Sequence, residues 1–436
     1  MNPQEVKLTS LLLGWGAGLY ILSYFLQSLL RQEENAWFVS LLLNVAGYAT
    51  ILFPGYLGLR YARESGYLDR GTGRFASTVR LFYVGRQDTL DTEELLPQES
   101  QKPARTAFQE GLQLLYCGIG LQVSYLTWGL LQEKIMTKDY TDSAGNTERF
   151  TDAQFLVFVN RILAFAVACV VMLLRPQPRH KAPLYKYSYC SFSNIMSSWC
   201  QYEALKYVSF PTQVLAKASK IIPVMLMGKV VSRRTYEFYE YVVAVLISLG
   251  MVAFLFGKEE SARTDSVTTV SGILILVGYM GFDSFTSNWQ GQLFKDYKVS
   301  SIQMMGGVNL FSCLLTSVSL LQQGIFLTSL IFMSQFPAFV SDCVILSLCS
   351  ACGQLFIYHT ISSFGPVVFT IIMTIRQVFA VVLSCIFYGH AVTATSLLGV
   401  VIVFFALFLK IYCAYKIKQR RKNAPKSGAN AGVLKA

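Results

Sequence analysis

The sequence has few charges and few histidines. Only 14% of its 436 residues are Asp, Glu, Lys or Arg, and its three histidines, His180, His359 and His390, lie far apart in the chain. A membrane-embedded transferase would need a metal cluster or a carboxylate base beside an acceptor site. Because acids are also scarce in the apolar segments, this class is a weak alternative, and we expect neither enzyme activity nor a metal or cofactor.

Two further features are missing. The sequence has no P-loop motif, so it gives no support to a mechanism driven by nucleotide hydrolysis. The ten cysteines lie mostly alone in apolar segments, where a free thiol behaves as a small hydrophobic group. Cys349 and Cys352 form a CxxC pair, but no second pair or histidine completes a tetrahedral metal site. The cysteine pattern therefore gives no support to metal or redox chemistry.

Apolar residues, by contrast, are abundant. They make up 53% of the chain, whose mean hydropathy is +0.44, more than a soluble domain can bury. A helix needs roughly 20 apolar residues to cross a bilayer, and segments of about this length recur along the chain. We predict an all-α membrane protein with spans near residues 8–30, 36–59, 108–131, 152–174, 187–208, 211–231, 237–257, 268–291, 299–322, 338–360, 366–388 and 392–414.

The last ten of these spans form the predicted core, and the first two precede it within residues 1–59. The first apolar segment is longer than the apolar part of a secretory signal peptide and no small-residue cleavage site follows it, so we predict a retained span. A cleaved signal peptide is the alternative, which leaves one or two N-terminal spans. Residues 60–106 have charges of both signs and no apolar period, and they predict a polar linker.

The positions of Lys and Arg predict the orientation, because positively charged short loops stay in the cytosol. The loops near 175–186, 229–234 and 295–298 are basic, as is the tail at 415–436, whereas the loops between them have balanced charges or none. The linker and the C-terminus are therefore both predicted to be cytosolic. The net charge of +12 then follows from membrane topology and does not require a nucleic-acid partner.

Internal repetition divides the predicted core into two halves. The segment "GLQVSYLTWGLLQEK" at 120–134 matches "GFDSFTSNWQGQLFK" at 281–295, with a glycine, a tryptophan and a lysine at equal spacing in both. Lys220 and Arg376 also occupy similar places, near the middle of the fourth and ninth core spans. Because each half has five spans, the second half enters the membrane from the opposite side. We predict two inverted five-helix repeats, 107–257 and 258–414, an arrangement found in transporters with a midplane site.

Cations near the middle of predicted spans indicate a binding site. Such a charge costs about 2.5 to 3.5 kcal/mol on insertion scales, so it faces a polar cavity or a partner. The mid-span cations are Arg161, Lys217, Lys220 and Arg376, and the comparable acids are Glu203 and Asp283. The excess of cations predicts an anionic ligand that carries phosphate or sulfate. Snorkelling, a structural ion pair and, for Arg161, helix packing are the alternatives.

Polar and aromatic side chains supply further candidate contacts. Polar stripes follow one face of the third and eighth core spans: Ser191, Asn194, Ser198 and Gln201, and Ser347, Ser350 and Gln354. Tyr125, Tyr202 and Tyr358 lie on the first, third and eighth core spans and could stack against a nucleobase. Ordinary packing or a place in an interfacial aromatic belt is the alternative for each tyrosine.

Several segments carry a family resemblance: "FPTQVLAKASKIIPVMLMGK", "GFDSFTSNWQ", "GLQVSYLTWGLLQEKIMT", "RFTDAQFLVFVNR", "SSWCQYEALKYVSFPTQ" and "FTIIMTIRQ". In these segments the chain resembles the nucleotide-sugar transporter family of the drug/metabolite transporter superfamily, from about residue 36 to about residue 420. The resemblance implies ten core helices in two inverted halves and residence in the Golgi membrane. It also implies exchange of cytosolic adenosine 3'-phosphate 5'-phosphosulfate (PAPS) for a lumenal adenosine nucleotide.

Two separate groups of positive side chains, here called cationic poles, would suit the two anionic ends of PAPS. Lys217 and Lys220 on the fourth core span and Arg376 on the ninth could supply these poles from different halves. Thr370, Thr374 and Gln377 could add hydrogen bonds beside Arg376. Which pole would hold which phosphate stays open. Because an empty occluded site would hold mutually repelling cations, we expect exchange to be favoured over uniport.

Another nucleotide or nucleotide sugar is the alternative substrate. The resemblance implies that carriers of UDP-sugars in the same branch often have an Arg-Lys pair in the ninth helix. Here Gln377 follows Arg376, so a UDP-sugar is less well supported than PAPS.

Overall fold

The computed structural model describes residues 3–30, 37–70, 73–85, 107–137, 139–141, 145, 147–150, 152–204, 207–208, 220–259, 270–373, 375–376 and 394–423. Nearly all of these residues are helical. Six of the described helices are long and apolar enough to cross a membrane, judged by length and composition. The predicted class, a multi-pass all-α membrane protein, is confirmed.

Four of the described helices precede the core. They are α1 (Pro3–Leu30), α2 (Trp37–Glu64), α3 (Tyr67–Arg70) and α4 (Arg74–Tyr83). The long helices α1 and α2 pack against each other and match the two predicted N-terminal spans. The described start of the predicted linker is therefore largely helical, a feature that the sequence interpretation missed.

The short helix α4 is amphipathic. Its buried side chains are Ala76, Val79 and Tyr83, which recur every three or four residues and so share one face of the helix. The hydroxyl of Tyr83 donates to the carbonyl of Gly55 in α2 at 2.9 Å. A ten-residue helix with one apolar face does not stand out in a search for long apolar runs.

The first group of core helices comprises α5 (Ala107–Thr137), α6 (Ala153–Leu174), α7 (Tyr185–Ala204), α8 (Ile221–Ser232) and α9 (Phe238–Glu259). A two-stranded antiparallel hairpin, β1 (Asp139–Thr141) with β2 (Thr147–Arg149), lies between α5 and α6. Four of the five helices overlap predicted spans, with ends that differ by up to six residues. The predicted span 211–231 is described only from residue 220, where Lys220 directly precedes α8.

The second group comprises α10 (Val270–Tyr297), α11 (Ser301–Gln323), α12 (Ile325–Gln335), α13 (Pro337–Phe364) and α14 (Ala394–Asn423). A further helical stretch covers 366–373 and is described again at 375–376. Helix α12 lies in an uncharged segment that the sequence interpretation treated as a loop. The division of the chain into 1–59, 60–106, 107–257, 258–414 and 415–436 stays a prediction.

Core helices pack in pairs drawn from the two groups. Helix α5 packs against α13, α6 against α11, α7 against α10, and α9 against α14. Helix α8 also packs against α10, and this contact brings the start of α8 next to the middle of α10. On the outside, large apolar side chains such as Leu173, Val230 and Phe238 are exposed, as expected of helices that face lipid.

One end of the α5–α13 pair is joined by an ion pair. The Nζ of Lys134 lies 2.8 Å from the carboxylate of Asp342, near the start of α13. The hydroxyl of Tyr140 in β1 donates to the same carboxylate at 2.9 Å. The hairpin is thereby attached to both helices.

Candidate functional site

A polar cavity lies among helices of both groups. Its volume is about 300 Å³, at the lower end of the range of small-molecule sites in proteins. Helices α5, α6, α7, α10 and α13 contribute side chains to its wall, together with the stretch that begins at 366 and with Lys220. The cavity is therefore bounded by both groups of core helices.

The cavity wall is cationic. Among the described residues, Arg161, Lys220 and Arg376 face it, and Asp283 is the acid beside them. Three of the four predicted mid-span cations are thus brought into one cavity. A soluble binding site could solvate such charges freely, whereas a site within a membrane protein relies on a ligand or on neighbouring groups.

Lys220 has an acidic partner. Its Nζ donates to Oδ2 of Asp283 at 3.0 Å. A structural ion pair was one alternative raised by the sequence, and for Lys220 the structure contains it within the cavity. The charge of Lys220 is therefore balanced, and the excess of positive charge among the described residues rests on Arg161 and Arg376.

The contact between α8 and α10 sets the geometry of this pair. The side-chain Nδ2 of Asn288 in α10 donates to the carbonyl of Val224 at 2.8 Å, and the amide of Val224 donates to the carbonyl of Lys220. A Cβ atom at Gly228 would lie 2.8 Å from Oδ1 of Asn288, so a larger residue there would displace the side chain of Asn288. Lys220 is therefore one helical turn from Val224, whose hydrogen bond with Asn288 joins α8 to α10.

Arg376 lies against an aromatic ring. Its guanidinium Cζ is 5.8 Å from the centroid of the Tyr125 ring, close enough for a cation–π interaction. The Nε of Arg376 is buried and has no hydrogen-bond partner among the described residues. Buried donors are normally satisfied, so this N–H is available for an acceptor that enters the cavity.

Arg161 shows the same feature. Its Nε is buried without a hydrogen-bond partner in the described part of the chain. The neighbouring Asn160 accepts a 2.8 Å hydrogen bond from Ser347 of α13, which joins α6 to α13 beside the cavity. Two guanidinium groups on different helices thus present unsatisfied N–H groups near one space.

The predicted polar stripes are partly brought to the cavity. Asn194, Ser198 and Gln201 line it from α7, and Ser350 and Gln354 line it from α13. The carbonyl of Gln354 also accepts a 2.7 Å hydrogen bond from Asn309 of α11. Ser191 belongs instead to the packing between helices, since its hydroxyl donates to the carbonyl of Val308 at 2.7 Å. Ser347, as noted, bonds to Asn160.

Aromatic side chains form the remaining wall. Tyr125 and Tyr358, both predicted, line the cavity, and Tyr279 and Trp128 lie beside them. The rings of Tyr125 and Trp128 meet edge to face with centroids 6.1 Å apart. The indole Nε1 of Trp128 is a further buried donor without a partner in the described region. The cavity therefore combines cationic donors with flat apolar surfaces.

Four predicted contacts lie outside the described residues or side chains. Three of them lie in gaps between the described segments: Lys217, Thr374 and Gln377. The fourth, Tyr202, is in α7, but its side chain is not described. Thr370 is buried, and its hydroxyl donates to the carbonyl of Pro366 one turn earlier at 2.9 Å. The roles assigned to these five residues stay predictions.

The sequence interpretation missed the contribution of α10. Besides Asp283, this helix gives Thr286, Ser287 and Gln290 to the cavity wall. These residues follow the spacing of one helical face, so a polar stripe on the sixth core span was readable. Tyr279, one turn before Asp283, gave no such signal because an aromatic residue is common in any apolar span.

The fold and the cavity together define a class. This is a multi-pass helical membrane protein with a polar, cationic cavity between two groups of helices, the kind of site that carriers of anionic solutes use. A family model described as the UAA transporter family matches residues 113–414, and the chain belongs to this family. It is a transporter rather than an enzyme.

Named relatives are similar over most of the chain. A Drosophila melanogaster protein, adenosine 3'-phospho 5'-phosphosulfate transporter 1, is 53% identical over 403 residues, covering 90% of this chain and 87% of that protein. The Homo sapiens protein of the same name is 54% identical, covering 89% and 90%. An Arabidopsis thaliana protein named UDP-galactose/UDP-glucose transporter 5 is 37% identical, covering 70% and 88%.

A solved structure shares the fold. It is described only as "Crystal structure of protein" and matches with a TM-score of 0.50 and 12% sequence identity, over 70% of this chain and 98% of that one. At this identity the match bears on the arrangement of helices and not on the substrate.

Proposed function

We propose that the protein carries PAPS from the cytosol into the Golgi lumen in exchange for an adenosine nucleotide, by alternating access around the cavity. The observation that carries the proposal is the pair of buried guanidinium Nε–H groups of Arg161 and Arg376, which have no hydrogen-bond partner among the described residues. Phosphate and sulfate oxygens are the acceptors that match a guanidinium group best. Relatives above 50% identity that are named for PAPS transport support this choice.

The arrangement of the cations suits a ligand with two anionic ends. Lys220 directly precedes α8, Arg161 lies in α6, and Arg376 belongs to the stretch that begins at 366. PAPS carries a 3'-phosphate and a 5'-phosphosulfate, and charges on separate helices can meet both. Further contacts to the anionic ends would come from Lys217, Thr374 and Gln377. Additional polar contacts to the nucleotide would come from Gln201, Gln354 and Thr370.

The aromatic wall provides a place for the base. Tyr125 and Tyr358 come from α5 and α13 and line the cavity, and the ring of Tyr125 lies against the guanidinium group of Arg376. A nucleobase has an apolar face and polar edges, and it stacks favourably on aromatic rings. We therefore assign the adenine to this wall, with Tyr202 as a further contact.

Helix pairing supports alternating access. Suppose that α5 in the first repeat corresponds to α10 in the second, and α7 to α13. The packed pair α5–α13 then corresponds to the packed pair α10–α7. The pairs α6–α11 and α9–α14 map onto themselves under the same correspondence. This reciprocity is what two inverted repeats would produce, and rocking of one repeat on the other would open the cavity to each side in turn.

Exchange follows from the unmatched cations. An empty cavity that passes through an occluded state would hold the charges of Arg161 and Arg376 with little solvation, whereas a bound nucleotide neutralises them. Return of the carrier with a lumenal nucleotide should therefore be faster than return of the empty carrier. With basic loops and a basic tail in the cytosol, we place the C-terminus on the cytosolic side of the Golgi membrane.

A second candidate is transport of a nucleotide sugar. The observation that favours it is the 37% identity to a relative named for UDP-galactose and UDP-glucose transport. The two candidates share the cationic cavity and differ in the base and in the number of phosphate ends. A substrate panel can separate them.

The test is uptake by the purified full chain in proteoliposomes. Labelled PAPS would be supplied outside, with AMP inside or absent, and unlabelled PAPS, AMP, UDP-glucose and UDP-galactose as competitors. We expect uptake that needs internal AMP and that PAPS and AMP inhibit more strongly than the UDP-sugars. Equal uptake with and without internal nucleotide would contradict exchange, and stronger inhibition by a UDP-sugar would favour the second candidate.

A further inference from the structure

An ion pair lies at the wall of the cavity. Lys220 directly precedes α8 and Asp283 lies in the middle of α10, and the Nζ to Oδ2 distance is 3.0 Å. Both side chains line the cavity. The Lys220 side chain is 11% exposed and the Asp283 side chain 28% exposed. The ammonium group and its carboxylate therefore both face the space that a ligand would occupy.

An anionic ligand and Asp283 compete for the same ammonium group. A phosphate that approaches Lys220 also approaches the carboxylate, and like charges at such short range repel each other strongly where water is limited. The ligand can bind Lys220 well only if the carboxylate moves away. Asp283 is the more exposed partner, so it can be hydrated within the cavity after it releases the lysine.

We propose that Asp283 is a positioning residue that competes with the transported anion for Lys220. In the empty cavity it pairs with Lys220 and directs the ammonium group inward, and it gives up this partner when a phosphate or sulfate group binds. This inference rests on the anionic substrate of the proposed function. It adds a role for a carboxylate in a cavity otherwise built to attract anions.

Competition between Asp283 and the ligand would speed release of the transported anion. A site with three free cations would hold a multivalent anion tightly and release it slowly, which would limit the turnover of exchange. Asp283 offers Lys220 an alternative partner during release. The same pair reduces the unbalanced charge of the empty cavity, so the barrier to return of the empty carrier rests on Arg161 and Arg376.

The first test is Asp283→Asn in the full-length protein, which keeps the shape of the side chain and removes its charge. The dissociation constant for PAPS would be measured by titration calorimetry in detergent, and the maximal exchange rate in proteoliposomes. We expect the dissociation constant to fall about threefold to tenfold, because a competing charge is removed. We expect the maximal exchange rate to fall as well, because release becomes slower.

A double-mutant cycle shows whether Asp283 acts through Lys220. Lys220→Gln would be combined with Asp283→Asn, and the PAPS dissociation constant of all four proteins compared. If the carboxylate acts by holding Lys220, its removal has little effect when Lys220 is already absent, so the effects are not additive. An equal gain in affinity in both backgrounds would show that Asp283 repels the ligand directly, which would overturn the proposal.

Two control variants separate this role from a structural one. Asp283→Glu retains the carboxylate, so its dissociation constant and exchange rate should lie closer to those of the original protein than to those of Asp283→Asn. Asp342→Asn breaks the other close Lys–Asp pair described above, at 2.8 Å from Lys134 and away from the cavity wall. It should lower thermal stability and leave the affinity for PAPS unchanged.

Unchanged or weaker PAPS binding by Asp283→Asn would overturn the proposal. If that variant does not fold, Asp283→Ser removes the same charge with a small polar side chain and carries the same expectation. A failure of the proposed substrate would be visible in the original protein, which would then bind UDP-glucose and not PAPS. The cycle would in that case be repeated with UDP-glucose, so the two proposals fail separately.

Discussion

The guanidinium group of Arg376 lies over the ring of Tyr125, with 5.8 Å between Cζ and the ring centroid. This contact joins α5 to the helical stretch that begins at 366, across the wall of the cavity. Such a cation–π interaction stabilises a partly desolvated pair by about 0.5 to 2 kcal/mol. It also orients the planar guanidinium group while the Nε–H stays without an acceptor among the described residues.

We therefore expect Arg376→Ala to weaken PAPS binding by about tenfold to a hundredfold, the effect of losing hydrogen bonds to a charged partner. Arg376→Lys should recover part of the loss, because a lysine keeps the charge but not the planar donor geometry. Titration calorimetry on the purified variants measures both. Arg175→Ala, in an exposed loop outside the cavity wall, is the matched control and should bind PAPS normally. Normal affinity in both Arg376 variants would remove this residue from the site.

Tyr125 should act through its ring and not through its hydroxyl. Tyr125→Phe keeps the aromatic face for Arg376 and for a stacked base, so we expect the PAPS dissociation constant to change by less than about threefold. Tyr125→Leu keeps an apolar side chain without the ring and should raise the dissociation constant about fivefold or more. The comparison is made by the same titration. A larger loss in the Phe variant than in the Leu variant would instead assign the role to the hydroxyl group.

Much of the site was predictable because charge in a membrane helix is costly. Arg161, Lys220 and Arg376 stand out in apolar segments, and the structure brings all three into one cavity. The stripe that includes Gln201 and the one that includes Gln354 also follow from helical spacing. In each of these cases the signal is local, and it lies within a single helix.

What could not be predicted depends on contacts between distant segments. Lys220 pairs with Asp283, 63 residues later, because α8 crosses α10 at Gly228 and Asn288. Nothing in the local sequence of Lys220 indicates which acid lies opposite. The amphipathic helix α4 was missed for another reason, since its apolar face is too short to register as a membrane span.

The hairpin attachment predicts a stability effect without an effect on binding. Tyr140 donates to Asp342 at 2.9 Å, and the Asp342 side chain is only 9% exposed. Tyr140→Phe removes one hydrogen bond to a charged acceptor, and we expect it to lower the free energy of unfolding by about 1.5 to 3 kcal/mol. Thermal melting of the protein in detergent measures the loss, and PAPS titration should give the original dissociation constant. A fall in affinity with unchanged melting would show that the hairpin contributes to the site itself.

His180 predicts how stability depends on pH. It lies in the loop between α6 and α7, and its Nε2 is 3.0 Å from the hydroxyl of Tyr187. Burial lowers the pKa of His180 below its ordinary value of 6.5. Between that value and the lowered pKa, the unfolded chain binds a proton that the folded protein does not. The contribution of the buried, neutral His180 to the free energy of unfolding is therefore fully present above about pH 6.5. It is lost as the pH falls toward the pKa that His180 has in the folded state.

The measurement is the difference in melting temperature between pH 7.5 and pH 5.5 for the original protein and for His180→Gln. A glutamine can keep a hydrogen bond to Tyr187 but does not titrate, so we expect the variant to lose less stability at the lower pH. If His180→Gln loses as much stability on acidification as the original protein, other groups govern the pH dependence, and the buried imidazole does not contribute to it.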